Sequence, residues 1–132
     1  MPIDQMELLD HKLKGYCCSQ IIMAAYLKRM EKENPELIEA VGGLCIGSHI
    51  GQLCGTLSAA ICVITLATGG ETRAMCDDLT AWFEDSYGSV QCRDIIGEDL
   101  IYKVDICKDV VTDTFNKMEE ILDMNGKLHW ED

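Results

Sequence analysis

Leu53–Thr68, with the sequence LCGTLSAAICVITLAT, is the stretch that decides the fold. It lies within a longer run, residues 41–70, that contains no Asp, Glu, Lys or Arg. A membrane-spanning helix needs about 20 predominantly apolar residues. This apolar stretch is only about 16 residues long, and no Lys or Arg anchors either end. The stretch therefore predicts the central, buried helix of a helical bundle rather than a membrane span.

Helical periodicity also dominates on both sides of this stretch, and strand-like alternation is hard to find. Glycines and a proline mark the ends of the predicted helices, because glycine favours helix termination and proline cannot continue a helix. The sequence predicts helices at about residues 4–14, 16–33, 35–41, 52–68, 72–87, 90–96 and 106–125. We therefore predict an all-α fold, a compact bundle of about five or six helices around the Gly/Ala-rich central helix. The length predicts a single domain spanning residues 1–132.

The charge of the chain is strongly negative and unevenly distributed. It contains 23 acidic and 11 basic residues, for a net charge of −12. The segment 71–132 carries sixteen of the acids and six of the bases, a net of −10. Because a polyanion repels phosphate, this charge argues against binding to nucleic acid or to an anionic membrane surface. It is compatible with docking of a basic redox partner protein on the acidic half, or simply with a solvated surface.

The N-terminus and the cysteine content bear on the cellular compartment. The first ten residues, MPIDQMELLD, carry acids where a signal peptide has a basic start and an apolar core, so we expect a cytoplasmic protein. In a reducing compartment a structural disulfide is not expected. The eight cysteines are therefore expected to bind a metal or to take part in redox chemistry.

Four of the cysteines are predicted to lie in the first turn of a helix. Cys18 and Cys54 each follow a glycine by three residues, and Cys92 and Cys107 follow a serine and an aspartate that are good N-cap residues. The first turn has free backbone N–H groups and the positive end of the helix dipole. Both features favour the thiolate, which binds metals and attacks disulfides, and both lower the pKa of a cysteine below its usual value of about 8.5.

The remaining cysteines and one histidine are weaker candidates. Cys62 is expected to pack in the core, and Cys76, beside two aspartates, is expected to be an inert thiol. Cys17 directly precedes the first of the four cysteines above, so only one of these two neighbours can easily face a given site. Cys45 lies in a glycine-rich loop flexible enough to reach a nearby thiol. His49 in the same loop is either a ligand or base, or a solvated side chain.

No local metal-binding or nucleotide-binding motif is present in the sequence. It contains no Cys-x-x-Cys, no paired Cys/His knuckle and no ferredoxin run. It also lacks a phosphate loop, a nucleophile elbow and a dinucleotide fingerprint. Any metal would therefore be held by cysteines far apart in sequence that come together where helix N-termini converge.

Four landmarks occur in order along the chain, namely residues 15–20 (GYCCSQ), 51–60 (GQLCGTLSAA), 88–97 (GSVQCRDIIG) and 107–111 (CKDVV). In order and spacing they resemble the C-GCAxxG-C-C family, which is described as redox-active and occurs largely in anaerobic bacteria and archaea. The resemblance implies a redox function and four signature cysteines, which fall on Cys18, Cys54, Cys92 and Cys107. The chain departs from the family pattern at Thr56, where the usual residue is smaller, and at Ala59, where it is glycine.

Together these observations favour a cytoplasmic redox protein, an oxidoreductase or electron carrier, whose four signature cysteines form one site. In the leading version the four thiolates hold an iron–sulfur cluster and transfer electrons. In the metal-free version a pair of them cycles between dithiol and disulfide. A structural zinc-binding module on the same four cysteines is an alternative from another class, as is a protein whose cysteines only pack. A homodimer, if one forms, is expected to use the small residues of the central helix.

Overall fold

The computed structural model describes residues 7, 10–11, 13–45, 52–70, 72–96 and 103–126, with the side chains of all these except 93, 96 and 103–108. Within these ranges the α-helices are α1 Cys18–Arg29, α2 Pro35–Val41, α3 Gly55–Thr68, α4 Arg73–Tyr87, α5 Cys92–Ile96 and α6 Lys103–Met124. A 3-10 turn, Gly42–Leu44, follows α2, and residues 7, 10, 11 and 13 also have helical backbone. The predicted all-α fold is confirmed, because the described ranges contain no strand beyond an isolated bridge between Leu53 and Gln91.

Three helix ends lie three or four residues from their predicted positions, and one of them is the start of α3, which begins at Gly55 rather than Gln52. α1 ends at Arg29, four residues earlier than predicted, because the chain turns at Glu31, whose φ is 55°. There the Lys32 N–H donates to the Leu27 carbonyl at 2.9 Å, which closes a Schellman-type cap. α6 begins at Lys103, three residues earlier than predicted.

α2 begins with a side-chain cap. The Asn34 side chain accepts a hydrogen bond from the Leu37 N–H at 3.1 Å. Pro35 occupies the first helical position, where a backbone N–H would have no acceptor within the helix. The Asn-Pro pair thus explains why the helix starts where the sequence predicts.

Replacing Asn34 with alanine is expected to lower the free energy of unfolding by about 1 kcal/mol, because the Leu37 N–H loses its acceptor. Urea unfolding followed by circular dichroism measures the difference. Asn34→Asp, which keeps a side-chain acceptor, is the matched control and should retain most of the stability. An equal loss in both variants would contradict the capping role.

α3 lies at the centre of the core, as the sequence predicts. It packs against α1, α4 and α6, and its Leu57 and Val63 side chains are fully buried. Ala59 and Ala60 are also fully buried within the chain, so this small-residue face is not available to a second copy. A homodimer through α3 would have to use the opposite side, where Leu66 is half exposed.

α3 is too short to cross a bilayer. Its 14 residues span about 21 Å at ~1.5 Å per residue, whereas the hydrocarbon core is about 30 Å thick. Within the described part of the chain, no helix combines the length and the apolar character that a membrane span requires.

Candidate functional site

The start of α1 carries two adjacent cysteines in different roles. Cys18 is the first helical residue and is partly buried against the core. Cys17 is the N-cap residue, and its N–H donates to Gln20 Oε1 at 3.1 Å in a capping box. The Gln20 side chain also donates to the Ile38 carbonyl of α2 at 3.2 Å. These bonds hold the start of α1 against α2.

Cys54 and Cys92 each take part in a short antiparallel backbone pairing centred on the bridge between Leu53 and Gln91. The Cys54 N–H donates to the Val90 carbonyl at 2.8 Å, and the Cys92 N–H donates to the Gln52 carbonyl at 2.6 Å. Cys54 is the N-cap of α3 and Cys92 is the first residue of α5. The pairing therefore brings two helix starts together, and both cysteine side chains are buried.

Burial raises the pKa of the Cys54 thiol, and the nearby Cys18 raises it further. The N–H groups of Leu57 and Thr56, and the Thr56 hydroxyl, act in the opposite direction but do not offset burial. Thr56 is fully buried, and its hydroxyl has no other hydrogen-bond partner among the described residues. The lowered pKa that a helix start predicts is therefore wrong for Cys54, because its side chain is only 7% exposed.

Tyr87 lies near Cys54 on the side of α4 and α6, and two acids of α6 lie near this tyrosine. The Tyr87 hydroxyl donates to Asp113 Oδ2 at 3.2 Å. Burial raises the pKa of Tyr87 above its usual range, and Asp113, Asp109 and Cys54 raise it further. The phenol therefore stays protonated and remains a hydrogen-bond donor at neutral pH.

The fourth predicted site residue, Cys107, is the fifth residue of α6 rather than a first-turn residue. The prediction that Asp105 caps this helix is wrong, because α6 has already begun at Lys103. The side chain of Cys107 and the whole of His49 lie outside the described residues. Their part in the site stays a prediction.

A disulfide bond joins Cys17 to Cys45, with the two Cα atoms 6.3 Å apart. Cys45 directly follows the 3-10 turn, so the bond ties this turn to the start of α1. The expectation that the chain has no structural disulfide is corrected here, because the turn returns the loop to α1. The prediction that Cys45 reaches a nearby thiol is confirmed. Among the other described cysteines, Cys18, Cys54, Cys62 and Cys76 are free thiols, and Cys62 packs against the core as predicted.

The described side chains do not form a metal site. Among them, no group of three or more His, Cys, Asp or Glu is arranged to hold a metal ion. Three of the predicted ligands, Cys18, Cys54 and Cys92, have described side chains and so belong to this set. These three thiols by themselves therefore do not fit a metal or a cluster.

A protein-family model matches most of the chain. The family model C_GCAxxG_C_C, described as "Putative redox-active protein (C_GCAxxG_C_C)", matches residues 16–121. The chain belongs to this family. Comparisons with curated proteins and with solved structures gave no match. The C_GCAxxG_C_C match confirms the resemblance seen in the four landmarks and covers every described residue of the cysteine-bearing helix starts.

Three residues of this C_GCAxxG_C_C chain lie next to the cysteines, and no role was predicted from the sequence for any of them. Ser19 contacts the disulfide sulfurs, Thr56 lies beside Cys54, and Tyr87 lies near the same thiol. The departure from the family pattern at Thr56 was a usable signal, because it puts a hydroxyl two residues after a signature cysteine. Tyr87 carries no local signal, since only packing brings the end of α4 to this place.

Proposed function

We propose that this protein carries out thiol–disulfide redox chemistry in which Cys18 and Cys54 cycle between a dithiol and a disulfide. The supporting observation is their proximity: α1 and α3 pack along each other, and Cys18 is near enough for its charge to act on Cys54. Both are free thiols, and the family is described as redox-active. The proposed compartment is the reducing cytoplasm, in which the pair would rest as a dithiol.

The two thiols differ in exposure, which gives them different roles. Cys18 is partly exposed and attacks a disulfide in a partner protein, forming a mixed disulfide and releasing the partner's second sulfur as a thiolate. Cys54 is buried and resolves the mixed disulfide by attacking the Cys18 sulfur, and its proton passes to the departing partner thiolate. The net exchange oxidises Cys18 and Cys54 by two electrons and reduces the partner disulfide to a dithiol.

The surroundings of Cys54 suit a resolving thiol. Burial keeps it protonated between turnovers, so it does not compete with Cys18 for an incoming disulfide. The N–H of Leu57 and the hydroxyl of Thr56 favour the thiolate, so they stabilise negative charge on the sulfur during the attack.

An iron–sulfur cluster on Cys18, Cys54, Cys92 and Cys107 is a second candidate. The backbone pairing that joins the segments carrying Cys54 and Cys92 favours it, since a cluster needs several thiolates at one place. The described side chains nevertheless bring no three ligands together, and zinc on the same four cysteines meets the same objection. We therefore assign no step to a cluster or to a metal.

We further propose that the partner is a basic protein that docks where α4 and α6 meet. Asp109 and Asp113 are exposed on α6, and both act on Tyr87, as Cys54 does, so these acids share a neighbour with the buried thiol of the proposed pair. A basic partner would be steered to this surface, because complementary charge raises the rate of encounter. The net charge of −10 on residues 71–132 likewise favours a positively charged partner.

The roles of the two thiols are tested with oxidised glutathione and protein purified without oxygen. The parent protein should release two molecules of reduced glutathione for each disulfide that it forms. Cys54→Ser should release one and retain glutathione on Cys18, whereas in Cys18→Ser the other thiol of the pair, Cys54, should react at least about 100-fold more slowly because it is buried. Alkylation followed by peptide mass spectrometry locates each modified cysteine.

Cys76→Ser is the matched control, because Cys76 is half-buried on α4 and outside the signature, and it should behave as the parent does. Glutathione retained on Cys54 rather than Cys18 would contradict the assigned roles. Iron, zinc, acid-labile sulfide and the visible absorption spectrum are measured on the same sample. If the parent protein is coloured and contains iron and acid-labile sulfide, and Cys54→Ser lacks all three, the site holds an iron–sulfur cluster and the thiol-exchange proposal is overturned.

A further inference from the structure

The Cys17–Cys45 disulfide lies outside the four signature cysteines, and its two sulfurs have different surroundings. Cys17 is partly exposed at the start of α1, whereas Cys45 is only 4% exposed. A thiolate from solution can therefore approach the Cys17 sulfur but is shielded from the Cys45 sulfur. A bond with one accessible and one enclosed sulfur is suited to directional exchange.

Ser19 lies beside the enclosed sulfur. Its side chain is fully buried, and its Oγ lies 2.9 Å from Cys45 Sγ and 3.4 Å from Cys17 Sγ. The hydroxyl donates to the Val41 carbonyl at 2.7 Å. Because a hydroxyl has one proton to donate, the carbonyl takes it while Cys45 is in the disulfide. A Cys45 thiolate would be the stronger acceptor, so the same hydroxyl can then donate to sulfur.

We propose that Cys17–Cys45 is a second redox site of this protein, an exchangeable disulfide that a dithiol protein reduces by attack on Cys17 Sγ. The attacking thiolate forms a mixed disulfide with Cys17, and Cys45 leaves as a thiolate to which Ser19 donates. The second thiol of the dithiol protein then displaces Cys17. The dithiol protein loses two electrons and becomes a disulfide, while Cys17 and Cys45 gain the two electrons and the two protons.

This second site also connects the segments that carry the proposed pair. Cys17 immediately precedes Cys18 at the start of α1. On the other side, Cys45 Cα lies 3.3 Å from the place where a Cβ on Gly55 would be, and Gly55 directly follows Cys54. Opening the bond therefore loosens the link between the starts of α1 and α3, and it should change the rate at which Cys18 and Cys54 react. That coupling rests on the proposed function, whereas the reducibility of Cys17–Cys45 does not.

The direction of exchange is tested in a Cys18→Ser, Cys54→Ser background, so that a failure of the proposed pair does not affect the result. Cys45→Ser leaves Cys17 free in this background, and Cys17→Ser leaves Cys45 free. With oxidised glutathione, Cys17 should become modified at least about tenfold faster than Cys45, because only Cys17 is accessible. Peptide mass spectrometry after alkylation reads out both positions.

The leaving-group role of Ser19 is tested in the otherwise unchanged chain. Graded dithiothreitol should open Cys17–Cys45 while circular dichroism shows that the helices persist. Ser19→Ala should make the bond about tenfold harder to reduce, which corresponds to about 30 mV for a two-electron couple. Ser86→Ala, on the exposed side of α4, is the matched control and should leave the equilibrium unchanged.

Three results would each overturn the proposal. The first is a bond that stays closed in excess dithiothreitol until the chain unfolds. The second is faster modification of Cys45 than of Cys17. The third is an equal reduction equilibrium in Ser19→Ala and Ser86→Ala. The first two results do not require the Ser19→Ala variant, so they test the proposal even if that variant fails to fold.

Discussion

Replacing Gly55 with alanine is expected to lower the free energy of unfolding by about 3 kcal/mol. An added Cβ at this position would fall on the Leu44 carbonyl, 3.0 Å from its carbon atom and 3.3 Å from Cys45 Cα. These neighbours are backbone atoms, so they cannot rotate away as a flexible side chain can. The loss should exceed the gain of up to about 1 kcal/mol that alanine has over glycine within a helix.

Gly43→Ala is the matched control, because a Cβ at Gly43 would meet open space. Its free energy of unfolding should stay within about 0.5 kcal/mol of the parent value. Urea unfolding measures both variants. Gly55→Ala should also slow the formation of a Cys18–Cys54 disulfide, because the start of α3 must move and Cys54 moves with it. If both variants unfold alike, the turn before Cys45 does not pack on the start of α3.

Helix positions could be predicted where the chain itself carries the stop signal. Gly69 and Gly88 adopt φ of 70° and 77° and end α3 and α4 where the sequence predicts. The end of α1 could not be predicted, because Glu31 takes up a left-handed conformation that glycine usually provides. The start of α6 at Lys103 was also not predicted. Asp105 resembles an N-cap residue in the sequence, but it lies inside the helix.

The candidate site was predictable in position but not in chemical state. Local glycines and caps indicate that Cys18, Cys54 and Cys92 lie at helix starts, and they do. The raised pKa of Cys54 depends on burial by other helices, which no local pattern reveals. The Cys17–Cys45 bond has a sequence separation of 28 residues and depends on the path of the chain through α2 and the 3-10 turn. Spacing alone therefore does not identify the pair that is bonded.

Replacing Arg29 with methionine is expected to lower the free energy of unfolding by about 3–5 kcal/mol. Arg29 Nη1 donates to Glu7 Oε1 at 2.7 Å, and Arg29 Nε donates to Glu119 Oε1 at 3.1 Å. The side chains of Arg29, Glu7 and Glu119 are 10%, 12% and 9% exposed, so water solvates none of them well. Methionine keeps apolar contact with Phe115, over whose ring the guanidinium lies at 4.9 Å. The loss therefore comes mainly from removing the positive charge that faces two nearly buried carboxylates.

His11 does not supply the missing positive charge. Its Nε2 lies 4.0 Å from Glu7 Oε1, close enough to form an ion pair if the imidazole were protonated. Burial lowers the pKa of His11, although Glu7 acts in the opposite direction. The imidazole is therefore mainly neutral at pH 7, and Arg29 rather than His11 supplies the positive charge beside Glu7.

Urea unfolding at pH 7 measures the effect. Arg73→Met, at the exposed start of α4, is the control, and its free energy of unfolding should stay within about 0.5 kcal/mol of the parent value. Adding Glu119→Gln to Arg29→Met should restore part of the loss, since it removes one of the two carboxylate charges that Arg29 faces. If it restores nothing, lost packing rather than buried charge explains the destabilisation. Arg29 lies at the end of α1 opposite Cys18, so the rate of Cys18 alkylation should be unchanged in any of these variants that remains folded. A changed rate would mean that the two ends of α1 are coupled, and that the network supports the redox site as well as the fold.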